Sequence, residues 1–141
     1  MIVVDTDVIS EAMKHVPDPN VMKWFASHPA PELVITTLTQ AEILAGVALL
    51  PVGKRSAALA ARANLMFERY FPDKILSFDS AAAIAFALIA AKLRKLGRPI
   101  ATFDAQIAAI AKSRGAAVAT RNTRDFEHCD VPVVNPWTAK R

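Results

Sequence analysis

The sequence has few residues that could crosslink the chain or interrupt its regular segments. Cys129 is its only cysteine, which excludes an intrachain disulfide and a cysteine-based zinc cluster. The four glycines and nine prolines stand between periodic segments, with no internal repeat, low-complexity tract or Gly/Ser linker. Because 141 residues are enough for one hydrophobic core, we predict a single domain that spans residues 1–141.

Long apolar runs are also missing. The longest, residues 81–91, has about half of the ~20 residues that a membrane-spanning helix needs, and it predicts instead a helix buried on nearly all sides. The apolar residues before Asp5 are too few for the apolar region of a signal peptide. Together with the single cysteine, these features predict a soluble cytoplasmic protein that does not associate with membranes.

A strong excess of one charge is absent as well. Seventeen Lys and Arg residues against 13 Asp and Glu residues give a net charge of +4. This balance permits binding to nucleic acid without requiring it, because histone-like binders are far more basic. The 53% of hydrophobic residues exclude a disordered chain.

Short apolar runs predict the strands of a sheet. They lie at residues 2–4, 33–35, 116–119 and 131–134, with residues 75–76 as a weaker fifth. None alternates polar with apolar residues, which is typical of strands buried on both faces. Helices are predicted at residues 8–14, 20–27, 39–50, 54–70, 80–96 and 103–113. The pattern predicts an α/β protein, a three-layer α/β/α sandwich with a central parallel sheet.

Acidic residues stand where the predicted strands end. Asp5 and Asp7 follow the first strand, and Glu42 lies in the first turn of the helix after the second. Asp104 lies in the first turn of the helix before the strand at residues 116–119, and Asp125 follows that strand. The carboxyl ends of parallel strands share one edge, where α/β proteins bind ligands, so we expect these carboxylates to converge there.

Each acid also has a structural interpretation. Asp7 and Asp79 can cap helix N-termini. Glu42 can close a capping box, and Asp104 can interact favourably with the positive end of its helix. Asp5 is harder to explain in this way, because it follows an apolar strand and has no evident helix of its own to cap. We therefore expect Asp5 to be half buried and to need a counter-charge.

Three carboxylates, from Asp5, Glu42 and Asp104, would repel one another unless a cation lay between them. Oxygen ligands without histidine or cysteine suit Mg²⁺ or Mn²⁺. Such a site supports phosphodiester hydrolysis, because the metal neutralises the phosphate and lowers the pKa of a bound water. One carboxylate can orient or deprotonate that water. These residues predict a metal-dependent phosphodiester hydrolase.

Basic residues at the same edge have two interpretations. Arg121 and Arg124 flank Asn122, where a guanidinium could hold an RNA phosphate or form a salt bridge with the acids. They are the candidates for substrate binding. The basic run at residues 92–98 could likewise contact phosphates or complement the dipole of the preceding helix. The three histidines have no metal-ligand spacing and are predicted to lie at the surface.

Four motifs carry a resemblance to a known family. They are VVDTDVISE at residues 3–11; TQAEI at residues 39–43, followed by Gly46; residues 98–109, which include RPI and DAQIAA; and ATRNTRDF at residues 119–126, followed by VNPW at residues 134–137. In this order they span nearly the whole chain and resemble the PIN-domain family. More narrowly, they are similar to the VapC/FitB-type toxins of bacterial and archaeal type II toxin–antitoxin pairs.

The resemblance implies a PIN-domain fold and a Mg²⁺- or Mn²⁺-dependent endoribonuclease toxin. The RNA it cuts is expected to be single-stranded or looped, because proteins can grip splayed bases in a site-specific way. The residues that match the catalytic and metal-binding acids of the family are Asp5, Glu42 and Asp104.

The resemblance also implies partners. Family members form homodimers, for which the helix at residues 80–96 could supply a face. A cognate antitoxin would lay a segment over a groove walled by the helices at residues 20–27 and 54–70, and could offer a basic side chain to the acids. Operator DNA is a further partner, reached through the antitoxin.

Some positions depart from the family pattern. Asn122 stands where many members carry a fourth acid, although toxins of this type often have asparagine there. Asp125 could replace that acid or only stabilise the following turn. Asp7 stands where asparagine is commoner and could tighten metal binding or cap a helix. Thr6, Asn122 and Asp125 are therefore possible additional site residues, and the number of metal ions stays open.

Two other functions are compatible with parts of the sequence. The main alternative is a weakly active or inactive PIN module that binds operator DNA in complex with its antitoxin. Asn122 favours this alternative, whereas the intact acids disfavour it. A phosphatase or phosphotransfer domain also uses acids at strand ends, but no lysine is placed to assist a nucleophilic aspartate.

Overall fold

A computed structural model describes residues 1–139 of the chain. Its strands are β1 (Ile2–Val4), β2 (Leu33–Thr36), β3 (Ile75–Leu76), β4 (Ala117–Ala119) and β5 (Val133–Val134). They form one parallel sheet in the order β3-β2-β1-β4-β5, which confirms the predicted parallel sheet. The run predicted at residues 131–134 is a strand only in its second half, since Pro132 has no N–H to donate to a neighbouring strand.

Helices connect the strands. They are α1 (Thr6–Ala12), α2 (Pro19–Ala26), α3 (Thr37–Ala48), α4 (Lys54–Tyr70), α5 (Ser80–Lys95) and α6 (Thr102–Ser113), with short 3₁₀ helices at Ala30–Glu32 and Thr123–Phe126. Within residues 1–139, no helix is long and apolar enough to cross a membrane.

The sheet separates two hydrophobic cores, because successive strand residues point to opposite faces. Val3 faces a core formed with α5 and α6, which contains Ile107. Val4 faces a core formed with α1, α2 and α4, which contains Trp24 and Phe67. Both faces are buried, so the strands show no polar alternation. The architecture is the predicted three-layer α/β/α sandwich.

The helix after β1 begins earlier than the sequence predicted. It starts at Thr6 rather than at residue 8, and Asp5 is its N-cap, with Oδ1 accepting a hydrogen bond from the backbone N–H of Thr6 (2.8 Å). The expectation that Asp5 has no helix to cap is therefore wrong, and so is the interpretation of Asp7 as an N-cap. Because the strand passes directly into the helix, both acids are held at the sheet edge.

The helix after β2 also begins two residues early, at Thr37. Thr36 is its N-cap and accepts a hydrogen bond from the backbone N–H of Thr39 (3.2 Å). Glu42 therefore lies in the second turn and does not close a capping box. Asp79 does cap α5 as its structural interpretation predicts, accepting from the backbone N–H of Ala82 (2.9 Å).

The prediction that the helix at residues 80–96 is buried on nearly all sides is wrong. Only one stripe of α5 is buried, at Ala82, Ile89 and Leu93. Ile84 and Leu88 are 66% and 71% exposed on the other side. An alanine-rich helix has little contrast between its faces, so its sequence pattern does not reveal which one is buried.

Candidate active site

Asp5 is fixed at the carboxyl end of β1 by bonds to both side-chain oxygens. Oδ1 caps α1, and Oδ2 accepts a hydrogen bond from the hydroxyl of Thr120, which follows β4 (2.8 Å). Its backbone N–H donates to the carbonyl of Ala119 (2.9 Å). Asp5 is only 5% exposed, more deeply buried than the sequence predicted.

The surroundings of Asp5 disfavour its charged form. Its pKa is raised to about 7, chiefly by burial, then by the charge of Asp7, with a smaller contribution from Asp104. The hydrogen bonds from Thr120 and Thr6 act in the opposite direction without cancelling the rise. A nearby cation would stabilise the carboxylate, which agrees with the predicted need for a counter-charge.

Asp7 has one satisfied and one unsatisfied oxygen. Its Oδ2 accepts a hydrogen bond from the backbone N–H of Arg121 (2.9 Å) and lies 3.4 Å from the hydroxyl of Thr120. Its Oδ1 is buried and has no hydrogen-bond partner within the described residues. Burial is the main cause that raises the pKa of Asp7. A buried carboxylate oxygen without a partner costs free energy, which a cation bound to it would offset.

Glu42 is connected to the same edge through Thr6. The Thr6 hydroxyl donates to Glu42 Oε1 (2.8 Å) and lies 2.9 Å from the hydroxyl of Thr39. Thr6 thereby joins the start of α1 to α3, so the predicted additional site residue has a defined structural position. Glu42 is half buried.

Asp104 belongs to α6, the third helix that begins at this edge, after α1 and α3. It lies in the first turn of α6 and is half buried. Its pKa is raised to about 6. Burial is the main cause, and the negative charges of Asp125, Glu42 and Asp7 contribute in that order. These charge interactions indicate that the acids predicted to converge do lie near one another. The charges that act on Asp104 thus belong to residues that follow β1, β2 and β4.

The acids at this edge offer carboxylate oxygens, which are the donors that a hard divalent cation prefers. One of them, Asp7, has a buried oxygen without a hydrogen-bond partner, and within residues 1–139 none of these acids forms a salt bridge. In that part of the chain, no three acidic, histidine or cysteine side chains stand close enough to surround one ion by themselves. Mg²⁺ usually keeps several water ligands and takes only a few carboxylates, so this spacing is compatible with it.

The remaining candidate site residues lie in the segment that follows β4. Asn122 is exposed, and its backbone N–H donates to the Thr120 hydroxyl (3.1 Å). Asp125 lies in the 3₁₀ helix that follows and acts on Asp104 through its charge. The guanidinium of Arg121 lies 4.9 Å from the ring centre of Trp137. Neither Arg121 nor Arg124 forms a salt bridge within the described residues, which leaves both available to a phosphate.

The histidines lie outside the acidic edge. His15 is exposed as predicted. His28 and His128 are half buried, so the surface prediction is wrong for these two. His28 packs on Trp24, with ring centres 4.6 Å apart, because it follows directly after α2.

The sequence analysis missed the importance of Thr120. This residue is completely buried, donates to Asp5 and accepts from the backbone after β4. The available signal was a hydroxyl placed directly after an apolar strand, where a buried polar side chain needs partners. Thr39 is also buried at this edge, where its hydroxyl accepts a hydrogen bond from the hydroxyl of Thr6 (2.9 Å).

Fold and site together define a class: parallel α/β proteins with a cluster of unpaired carboxylates at the ligand-binding edge of the sheet. The family model of the PIN domain matches residues 2–132. The chain belongs to the PIN-domain family, which confirms the resemblance inferred from its motifs.

Relatives narrow the class further. The chain is 42% identical over 139 residues to the plasmid stability protein StbB of Pseudomonas syringae pv. tomato, covering 99% of this chain and 100% of the relative. It is 39% identical to toxin FitB of Neisseria gonorrhoeae (97% and 99% covered) and 36% identical to a VapC ribonuclease of Sinorhizobium fredii (97% and 98%). The structure of FitAB bound to an IR36 DNA fragment has a TM-score of 0.93 at 38% identity, covering 100% of this chain and 99% of the matched one.

Proposed function

We propose that this chain is an endoribonuclease toxin that hydrolyses RNA phosphodiesters with a divalent metal ion, Mg²⁺ or Mn²⁺, bound by Asp5, Glu42 and Asp104. The observation that carries the proposal is the convergence of carboxylates, without a salt bridge within residues 1–139, at the carboxyl edge of a parallel sheet. The toxin and ribonuclease names of two relatives support it.

The carboxylates have different surroundings, from which we assign their roles. Hydrogen bonds hold Asp5 and Glu42 in place, so a metal ion would bind them with little loss of side-chain freedom. Asp104, a half-buried carboxylate in the first turn of α6, is assigned to orient or deprotonate the attacking water. When bound, the metal would neutralise the scissile phosphate and lower the pKa of that water.

Arg121 and Arg124 are the proposed phosphate-binding residues. Arg121 follows the acidic edge directly, and its backbone N–H is anchored to Asp7 (2.9 Å). Its guanidinium lies over the ring of Trp137, and its charge acts on Glu11, so it would turn toward the edge to donate two hydrogen bonds to a phosphate. Single-stranded or looped RNA fits best, because its unpaired bases can be splayed out and contacted in a site-specific way.

The proposed cognate antitoxin would dock on the face of the protein that α1, α2 and α4 form. A cavity of about 450 Å³ opens between α1, α2 and α4 and is lined by apolar side chains that include Ile9, Met13, Phe25 and Met66. Its walls include the two helices that the sequence analysis assigned to an antitoxin groove. Apolar anchors of a peptide helix or extended segment would fill such a cavity. The FitAB–DNA complex supports an antitoxin partner and, through it, operator DNA.

Other features of the proposal rest on the sequence. A homodimer would bury the exposed Ile84 and Leu88 of α5, for which an apolar stripe on a helix is suited. The cytoplasmic location and the single-domain organisation also stay predictions.

One alternative has an observation of its own. Asn122 is exposed and neutral at the position where many PIN domains carry a fourth acid, which would weaken binding of a second metal ion. A weakly active or inactive module that binds operator DNA with its antitoxin would tolerate that change. The two functions are separated by whether the antitoxin-free chain cuts RNA.

The test is cleavage of a mixed RNA pool by antitoxin-free protein in Mg²⁺, Mn²⁺ or EDTA. The wild type is expected to cut only with metal, and Asp104→Asn, purified identically, is expected not to cut. Asp73→Asn is the matched control, because Asp73 is an exposed loop residue with a φ of 57° that asparagine also tolerates. Metal-independent cutting, or equal cutting by Asp104→Asn, would contradict the proposal.

A further inference from the structure

A second cavity lies beside the acidic edge. It has a volume of about 280 Å³ and is enclosed by the loop at residues 97–100, the end of α5 at Leu93, and the segment with Arg124, Asp125 and His128. We name it the flanking cavity. Its lining combines an apolar surface with two guanidiniums, a carboxylate and an imidazole.

The walls of the flanking cavity are fixed by the backbone. Gly97 ends α5 with a φ of 68°, and its N–H donates to the carbonyl of Arg94 (3.1 Å). The N–H of Arg98 donates to the carbonyl of Leu93 (2.9 Å). On the other wall, the N–H of Asp125 donates to the carbonyl of Asn122 (3.0 Å). A cavity held in this way is formed before any ligand arrives, which lowers the entropic cost of binding.

Asp125 joins the flanking cavity to the proposed active site. It lines the cavity, and its charge is the largest electrostatic contribution to the raised pKa of Asp104. A strand of RNA whose scissile phosphate lies at Asp104 would therefore pass this cavity with a neighbouring nucleotide. The inference rests on the proposed function in this respect.

The polar groups of the cavity match the parts of a nucleotide. Arg124 has no salt bridge within residues 1–139, and Arg98 has only an exposed one with Glu127 (3.3 Å). Exposed ion pairs contribute little, so both guanidiniums can turn to a phosphate. Pro99 and Ile100 offer apolar surface to the face of a base, whereas Leu93 is buried beneath them in the core.

We propose that the flanking cavity binds one nucleotide next to the scissile phosphate and prefers a base with an exocyclic amino group. The phosphate lies on Arg98 and Arg124, the base lies against Pro99 and Ile100, and the carboxylate of Asp125 accepts a hydrogen bond from the amino group. Cytosine donates from its N4 amino group, whereas uracil presents a carbonyl oxygen at that position and would face the carboxylate with an acceptor.

The experiment measures binding of fluorescent oligocytidylate and oligouridylate RNA by anisotropy in Mg²⁺, using full-length Asp104→Asn to prevent cleavage. We expect it to bind the cytidine RNA about tenfold more tightly. Adding Arg98→Gln should weaken binding of both RNAs about tenfold and reduce the slope of log Kd against log salt by about 0.7. Arg94→Gln is the matched control, because it removes the same charge from the same helix end outside the cavity. Its effect should be small.

Base preference is tested by adding Asp125→Asn, since an amide can donate to uracil as well as accept from cytosine. The cytidine preference should fall to nearly none. Equal losses with Arg94→Gln and Arg98→Gln, or a preference that Asp125→Asn leaves unchanged, would overturn the inference. Thermal unfolding of each variant checks that it is folded.

The outcomes separate this inference from the proposed function. If the wild type cuts RNA with metal but none of the cavity variants alters binding, the flanking-cavity inference fails alone. If the wild type cuts no RNA but binding depends on the cavity as described, the ribonuclease function fails and the cavity remains a nucleotide site. If neither RNA binds, the flanking-cavity inference fails, and cleavage of the mixed RNA pool by the wild type decides the proposed function separately.

Discussion

Asp5 and Glu11 stand at opposite ends of α1 and are almost equally buried, at 5% and 7% exposed, yet their electrostatic environments are opposite. Glu11 forms a salt bridge with Lys14 (2.9 Å) and also accepts from the backbone N–H of Asp18 (3.0 Å). The hydrogen bond from Lys14 is the main cause that lowers its pKa. Asp5 forms no salt bridge within the described residues, and burial, followed by the charge of Asp7, raises its pKa to about 7.

The comparison indicates that burial alone does not explain the acidic edge. Where the fold uses a buried carboxylate for stability, it provides a lysine and a backbone donor, as at Glu11. At the edge it places several carboxylates together without a basic partner in the described residues, which costs stability. Such an arrangement is typical of a functional site that an added cation completes.

The largest expected effect is a difference in RNA cleavage between a variant of the acidic edge and a variant at Glu11. Asp104→Asn should lower the rate of RNA cleavage at least about 100-fold, because it removes a proposed metal ligand and proton acceptor. Glu11→Gln should keep the wild-type rate and lower the melting temperature, since it removes the pair with Lys14. Rates on one RNA substrate and thermal unfolding of both variants measure this difference. A reversed pattern, with activity lost only in Glu11→Gln, would contradict the comparison.

The second effect is on stability as the pH changes. The folded protein has a pKa of about 7 at Asp5 against 3.8 for a free aspartate, so between these values the folded state binds more protons than the unfolded state. In EDTA, the free energy of unfolding should therefore fall from pH about 4 to about 7, by about 1.4 kcal/mol for each unit of this difference.

Variants of the two acids sharpen that result. Asp5→Asn should reduce the pH dependence and stabilise the metal-free protein at neutral pH, while the raised pKa values of Asp104 and Asp7 leave a smaller decline in place. Glu11 has a lowered pKa, so its contribution is lost only as the pH falls through that value, and Glu11→Gln should leave the higher-pH decline in place. Thermal unfolding across this pH range is the measurement. The explanation is wrong if Asp5→Asn unfolds with the wild-type pH dependence.

A smaller effect is expected at Thr120, which donates to Asp5 (2.8 Å). Thr120→Val removes a hydrogen bond that lowers the pKa of Asp5, so the pKa should rise and the acidic limb of the cleavage pH profile should move to higher pH. We expect about a tenfold loss of rate near neutral pH. Thr138→Val, at an exposed threonine, is the control. An unshifted profile would mean that Thr120 is only structural.

The smallest effect is expected at Arg121. Arg121→Ala should weaken RNA binding several-fold and lower the slope of log Kd against log salt by about 0.7, while metal affinity is unchanged or slightly higher. Arg69→Ala removes the same charge from an exposed position on α4 and should have little effect. Binding isotherms at several salt concentrations measure both. Loss of folding in Arg121→Ala would instead assign the residue to the structure.

The sequence was sufficient to predict the layers of the fold and the edge of the sheet at which the acids stand. Both follow from one topological rule: continuous apolar runs form parallel strands, and residues after such strands meet at one edge. Asp5, Glu42 and Asp104 lie far apart in the chain, but the parallel order of β2, β1 and β4 brings the helix starts beside them together.

The hydrogen bonds of the site could not be predicted in the same way. Whether α1 begins at Thr6 or at residue 8 depends on backbone angles at the end of β1, and this decides that Asp5 is a cap and Asp7 has a buried orphan oxygen. The bond from Thr120 to Asp5 joins residues 115 positions apart, and no local pattern indicates it. The buried face of α5 could not be predicted, because its many alanines leave little difference in hydrophobicity between the faces of the helix.

The central claim is that the carboxylates at the edge are held for a divalent cation. Titration with Mn²⁺, followed by the EPR signal of the free ion, tests it most directly on the wild type, Asp5→Asn and Glu11→Gln. We expect the wild type and Glu11→Gln to bind Mn²⁺ with the same affinity, and Asp5→Asn to bind it at least about tenfold more weakly. Undiminished binding by Asp5→Asn would contradict the claim.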